Sequence, residues 1–282
     1  MVFIKHVKGG SLYMGDYIIG RNGENIEINR IYCEDNVKGM KRLGDNTIDM
    51  VCTSPPYDNL RKYNGYSFDF ENVAKQLYRV TKQGGVVVWV VGDATIKGSE
   101  TGTSFRQALF FMECGFFLND TMIWRKTNPM PQVKQPRYSQ CFEYMFVFSK
   151  GTPKTFNPIM RKTKCGGNNY DSTCKNMGGE NGRTEKHFVI NKESVDYNVW
   201  DIAIAQNKTI HSAVFPEQLV RNHITSWSNE GDIVLDCFMG SGTTAVAALQ
   251  LGRKYIGFEI SQEYVDIANR RIAAETSQLS LF

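Results

Sequence analysis

Ile233-Val234-Leu235-Asp236-Cys237-Phe238-Met239-Gly240-Ser241-Gly242-Thr243 runs from an apolar strand, through two glycines two positions apart, into a helix over 244–251 that ends at Gly252. Glycines at such a turn let the chain bend sharply and let a ligand approach the backbone. The helix start presents free N–H groups that favour an anion. Lys254 to Phe258 reads as the next strand, with Glu259 at its tip, where a carboxylate typically binds both hydroxyls of a ribose. Ala245 stands where a dinucleotide fingerprint would have its third glycine, a permitted variant. The stretch predicts a nucleotide-like ligand carrying a ribose and an anionic group. NAD, flavin and S-adenosylmethionine all qualify, and a plain glycine turn closing a βα unit is the bland alternative.

Working outward, Ile28 to Cys33 reads as a strand ending at Glu34-Asp35, followed by a helix over 37–43. Ile48 to Thr53 is a short apolar strand that runs straight into Ser54-Pro55-Pro56-Tyr57. Two successive prolines fit neither a central ladder nor a helix interior, so this is a loop at the end of a buried strand. Phe70, Val73, Leu77 and Val80 have helical spacing, and Gly84-Gly85 marks the stop. Val86 to Val91 is a continuous apolar run, the pattern of a parallel strand covered on both faces. A helix over 104–113 follows, then strands over 116–125 and 142–150 joined by a proline-containing loop. Phe215-Pro216 opens a helix through Ile224, and a closing helix spans 264–275. No internal repeat is visible.

Strands alternating with helices predict an α/β fold with a mostly parallel sheet. Functional loops then belong at the strand C-termini. Asp35, the Ser54 loop, Gly92-Asp93, the Gly240 turn and Glu259 all take such positions.

The composition is that of an ordinary globular protein, 41% hydrophobic and 22% charged over 282 residues. No apolar run reaches the length of a membrane span, and the first twenty residues do not read as a signal peptide, so a cytoplasmic protein is expected. The seven cysteines are odd in number and form no C-x-x-C pair, which argues against a disulfide framework. Cys165, Cys174 and His187 match no standard zinc spacing. The net charge of +4 is uneven: residues 121–193 hold thirteen Lys/Arg against five Asp/Glu, so the remainder is acidic. A basic middle in a faintly acidic chain suits a polyanion partner, or is simply a solvated lysine-rich surface.

Thr53-Ser54-Pro55-Pro56-Tyr57 narrows these readings. It resembles the catalytic loop of the amino-group-specific DNA methyltransferases, Asp/Asn/Ser-Pro-Pro-Tyr/Phe/Trp. The chain order, with the Ser54 loop first, a basic middle, and the Gly240 loop last, resembles their circularly permuted β class. His211 followed by Phe215-Pro216 resembles a segment that contacts the methionine part of the cofactor, with Ser212 where the family usually has proline. Phe142-Glu143-Tyr144 through Gly151 resembles the last core strand of the family.

The resemblance implies a class I, Rossmann-like fold: a mostly parallel seven-stranded sheet with an antiparallel hairpin edge. The turn signals Gly9-Gly10 and Asn22-Gly23 mark residues 1–27 as a β-rich extension. The resemblance covers about 28–150 and 211–272, implying a catalytic half (28–150) and a cofactor-binding half (211–282), and the family places its target-recognition region in the uncovered stretch between them (151–210). It implies S-adenosyl-L-methionine as cofactor, held by Asp35, His211, Phe215, Asp236, Phe238, Gly240, Ser241, Gly242, Thr243 and Glu259. For Asp35 a helix N-cap, and for Phe238 a core position, are equally open. The catalytic residues implied are Ser54, Pro55, Pro56 and Tyr57. The implied partner is double-stranded DNA with base flipping, and no membrane. A homodimer and a restriction endonuclease partner occur in the class.

An exocyclic amine is conjugated into its base, so its lone pair is a poor nucleophile. A serine oxygen and a proline carbonyl that accept its N–H bonds hold it pyramidal and stabilise the growing positive charge. The two prolines make a stiff ridge of outward carbonyls, and Tyr57 offers a stacking face to a base outside the duplex. In residues 151–209, Lys154, Arg161, Lys162, Lys164, Lys175, Arg183 and Lys186 are phosphate-contact candidates, and the segment shows little periodicity. Within the family the Ser-Pro-Pro-Tyr variant goes commonly with N4 of cytosine, and Asp at the first position with N6 of adenine. The rivals are a catalytically silent DNA-binding module and a dinucleotide oxidoreductase. The latter has no need of Pro55-Pro56.

Overall fold

The computed structural model describes residues 16–56, 69–129, 136–175, 183–204 and 216–279. Tyr57, His211, Phe215 and the first fifteen residues of the extension lie outside the described residues. In chain order the strands and helices begin with β1 (Tyr17–Ile19), β2 (Asn25–Glu27), β3 (Arg30–Cys33), α1 (Asn36–Arg42), β4 (Ile48–Thr53), α2 (Phe70–Val80) and β5 (Thr81–Val91). Next come β6 (Thr95–Ile96), β7 (Ser99–Glu100), α3 (Thr103–Glu113), β8 (Phe117–Lys126) and β9 (Phe142–Ser149). The middle of the chain carries β10 (Met160–Lys162), β11 (Asn169–Lys175), β12 (Arg183–Val189), β13 (Glu193–Val195) and β14 (Val199–Ile202). The chain closes with α4 (Glu217–Trp227), β15 (Ile233–Asp236), α5 (Thr243–Gln250), β16 (Lys254–Glu259) and α6 (Gln262–Leu279).

One sheet organises these elements, in the order β14-β8-β9-β5-β4-β15-β16-β3. All neighbours run parallel except β8–β9 and β5–β9. Among the described residues the sheet has eight strands where seven were expected. The eighth, β14, pairs parallel with β8 and covers the hairpin that should have formed the edge. Its four residues, Val199-Trp200-Asp201-Ile202, are too few to show a period. Trp200 nonetheless seals it, 7% exposed in the core and beside Trp124, whose indole N–H donates to the Ile202 carbonyl.

Both faces of the sheet are covered, which explains the unbroken apolar run of β5. Val87, Trp89 and Val91 point to the side of α1, α2 and α3. Val86, Val88 and Val90 point to the side of α4, α5 and α6. The α2 helix matches its expected span and is capped by Asp69, whose carboxylate accepts from the Asn72 amide. Gly84-Gly85 does not separate helix from strand as expected. The strand already begins at Thr81, and the glycines form an irregularity within it, where the register with β4 shifts between Ile48 and Met50. A Cβ on Gly85 would sit 2.8 Å from the Asp49 carbonyl oxygen, so no larger residue fits there.

The stretch that lacked periodicity is folded into two antiparallel ribbons, β10–β13 and β11–β12. In β10 and β13 the residues are exposed or half-buried, so no buried face imprints a pattern on that part of the sequence. The start of the segment is tied to the core. Asn157 bonds the carbonyls of Thr225 and Ser228, and Phe156 stacks on Trp227 at 4.8 Å.

Candidate active site

The centre of the sheet creates the cleft. From β4 the chain crosses through α2 to β5 on one side, and from β15 through α5 to β16 on the other. The two crossover helices therefore lie on opposite faces, and a crevice opens beyond the C-terminal ends of β4 and β15, where open α/β sheets bind ligands. Val234 pairs with Met50 and Leu235 with Val51, so the Ser54 loop and the Gly240 turn leave adjacent strands at nearly the same height. Ser54 and Pro56 are half-buried and Pro55 is buried.

The glycine turn is shaped by contacts from three directions. Gly242 has φ +84°, and a Cβ there would lie 2.7 Å from Cβ of Ala268 on α6. Gly240 has φ +51°, and the place of its missing Cβ is open apart from the Phe238 carbonyl oxygen at 3.9 Å. Its N–H donates to Oε2 of Glu259 at 2.8 Å, while Oε1 of the same carboxylate accepts from the Ser261 amide at 2.9 Å. Glu259 is 9% exposed at the tip of β16, and burial pushes its carboxyl above the usual range. From α6, the Arg271 guanidinium donates to the Ser241 carbonyl at 2.6 Å, to the Ser241 hydroxyl at 3.2 Å and to Thr243 Oγ1 at 3.3 Å. Asn36 Nδ2 donates to the Cys237 carbonyl at 3.2 Å, tying the start of α1 to the same loop.

The expected site residues meet here, with distinct fates. Ser54, Pro55, Pro56, Phe238, Gly240, Ser241, Gly242, Thr243 and Glu259 all lie at this edge of the sheet. Asp35 lies there too, next to β16, and its Oδ1 caps α1 by accepting from the Lys38 amide at 2.9 Å. Phe238 packs partly into the core, with its ring 6.2 Å from that of Trp89. Asp236 turns both carboxylate oxygens inward, to Thr53 and the Phe238 amide on one side and to Thr244 on the other. Arg271 and Asn36 were not anticipated. Each acts on a residue far away in sequence and carries no local signature.

A crevice at this switch, with paired loops on neighbouring strands, is the ligand-binding edge of a Rossmann-like fold. The family described as DNA methylase, N6_N4_Mtase, matches residues 48–270. The chain is 55% identical over 242 residues to the orphan methyltransferase M.BamHII of Bacillus amyloliquefaciens, covering 82% of this chain and 91% of that protein. It is 29% identical to the type II methyltransferase M.HinfI of Haemophilus influenzae, over 88% of this chain and 70% of that one. Among solved structures, PvuII DNA methyltransferase (cytosine-N4-specific) has the same fold, with a TM-score of 0.63 at 22% identity over 86% of this chain and 85% of that one. The M1.HpyAVI–SAM complex aligns with a TM-score of 0.58 at 26% identity, over 86% and 98%. The chain belongs to the amino-methyltransferase family of DNA methyltransferases, and S-adenosyl-L-methionine is its cofactor. Among the described residues no helix is long and apolar enough to cross a membrane.

Proposed function

We propose that the chain methylates the exocyclic N4 of cytosine at a specific DNA site, acting on a base turned out of the duplex. The observation that carries this reading is the Ser54-Pro55-Pro56 loop at the tip of β4, one strand away from the glycine turn. The residues suit the cofactor: Gly240 leaves its backbone open to approach, and Glu259 presents a carboxylate beside it. When bound, the cofactor supplies an electrophilic methyl group. Glu259 would hold the ribose hydroxyls, and the Gly240–Thr243 turn would lie against the ligand. Ser54 Oγ and the Pro55 carbonyl would accept the two N–H bonds of the target amine. That fixes its lone pair towards the methyl and stabilises the charge that develops on nitrogen. Tyr57 would stack on the base. Pro55 and Pro56 need no induced rearrangement, because their φ angles are already set.

Serine at position 54 favours cytosine. Residues 151–210 are read as the target-recognition region. Lys162 and Lys164 serve as phosphate contacts. Arg161 is already engaged, 3.9 Å over the Tyr197 ring, which suits a framework role for it. The relative named as an orphan methyltransferase favours action without a dedicated endonuclease. Labelled-methyl transfer into DNA tests the site: Pro56→Ala and Tyr57→Ala should abolish transfer while cofactor still binds. Full activity in either variant removes the catalytic assignment.

A further inference from the structure

Asp236 is the last residue of β15 and 3% exposed. Its Oδ1 accepts from Thr53 Oγ1 at 2.6 Å and from the Phe238 amide at 3.0 Å. Its Oδ2 accepts from Thr244 Oγ1 at 2.6 Å. Thr53 is the last residue of β4, fully buried, and adjoins Ser54; Thr244 is in the first turn of α5 and 1% exposed. One carboxylate thus bridges the strand that carries the proline loop and the helix that follows the glycine turn.

We propose that Asp236 is a positioning residue rather than a cofactor ligand: through Thr53 and Thr244 it fixes the offset between the Ser54-Pro55-Pro56 loop and the Gly240–Thr243 turn. This rests on the reading of the Ser54 loop as the acceptor site. In-line methyl transfer needs donor and acceptor held close to the reacting geometry, and an error of about 1 Å there costs on the order of 100-fold in rate. A bridge between two adjacent strand ends sets that distance directly. Burying a carboxylate is costly, and apolar neighbours would pack the strand ends without it. Burial does raise this carboxyl, to about 6, against the opposing effect of Thr244, Thr53 and the Phe238 amide. The titratable groups around it are Glu259 on β16, Cys52 on β4 and Cys237, the residue that follows it in the chain. Burial pushes both thiols up, so they stay neutral.

Thr53→Val removes the hydroxyl and keeps the branched shape. Single-turnover methyl transfer should fall by roughly 30- to 100-fold, while cofactor affinity without DNA stays within about twofold. Thr53→Ser should restore the rate to within about threefold, since it returns the donor. Losing the Thr53 hydrogen bond lifts the Asp236 carboxyl further, so the acidic limb of the rate profile should move to higher pH in Thr53→Val. Asp236→Asn should lack that limb. A residue that merely holds the fold would lower the melting temperature without moving the limb. Wild-type rate in Thr53→Val, or a loss of cofactor affinity matching the loss of rate, overturns the proposal. Absence of transfer by the wild-type protein would instead overturn the reading of the Ser54 loop, and this proposal with it.

Discussion

The backbone N–H of Gly240 points at Glu259 Oε2 from 2.8 Å, so the turn and the strand-tip carboxylate hold one another in place. Hydrogen bonds to a charged group contribute about 1.5–3 kcal/mol each. Glu259→Ala should therefore weaken cofactor binding by on the order of 100-fold, and Glu259→Gln by about tenfold. Calorimetric titration with S-adenosylmethionine checks this, and unchanged affinity in Glu259→Ala would contradict it.

Gly242 allows no side chain. Its positive φ is strained for any other residue, and Ala268 stands where a Cβ would go. Gly242→Ala should cost about 1–3 kcal/mol of stability and displace the turn from α6. Chemical denaturation measures the first effect and cofactor titration the second.

Arg271 fastens the same turn from α6, with its guanidinium on the Ser241 carbonyl at 2.6 Å. Arg271→Met keeps much of the stem and loses the donors. Cofactor affinity should fall roughly tenfold with the fold intact, matching one lost hydrogen bond of about 1.4 kcal/mol; calorimetric titration measures it, and unchanged affinity would contradict the role.

Acid should act on two buried groups in opposite directions. His223 is fully buried between Met145 and Trp200, its Nδ1 has no hydrogen-bond partner among the described residues, and burial lowers its pKa to about 3. Its folded pKa lies below the unfolded value near 6.5, so its contribution is present above 6.5 and is lost as pH falls towards 3. Asp236 is raised to about 6 from 3.8, so its contribution is present below 3.8 and is lost as pH rises through 6. Each slope is about 1.4 kcal/mol per pH unit, and between 6 and 4 they largely cancel. Asp236→Asn removes one of them. Relative to wild type, its unfolding free energy should fall with acidification over that window. Parallel curves for the two proteins would contradict the sign.

The main elements were legible because burial on both faces writes itself into sequence. The run from Val86 to Val91, the helical spacing from Phe70 to Val80 and the glycine turn after β15 needed no tertiary information. What stayed hidden depends on contacts between distant residues. β14 is a strand only because β8 offers it an edge and Trp200 a core. Arg271 reaches Ser241 across 30 positions. The inward turn of the Asp236 carboxylate toward Thr53 and Thr244 was hidden too, because an acidic residue before a glycine turn looks the same in sequence whichever way its oxygens face.

Methyl transfer to the exocyclic amine of cytosine is tested most directly by the product itself. DNA incubated with the protein and isotope-labelled S-adenosylmethionine is digested to nucleosides and separated by mass. The label should appear in N4-methylcytosine. Label in N6-methyladenine would contradict the choice of base, and unlabelled DNA would contradict the enzyme.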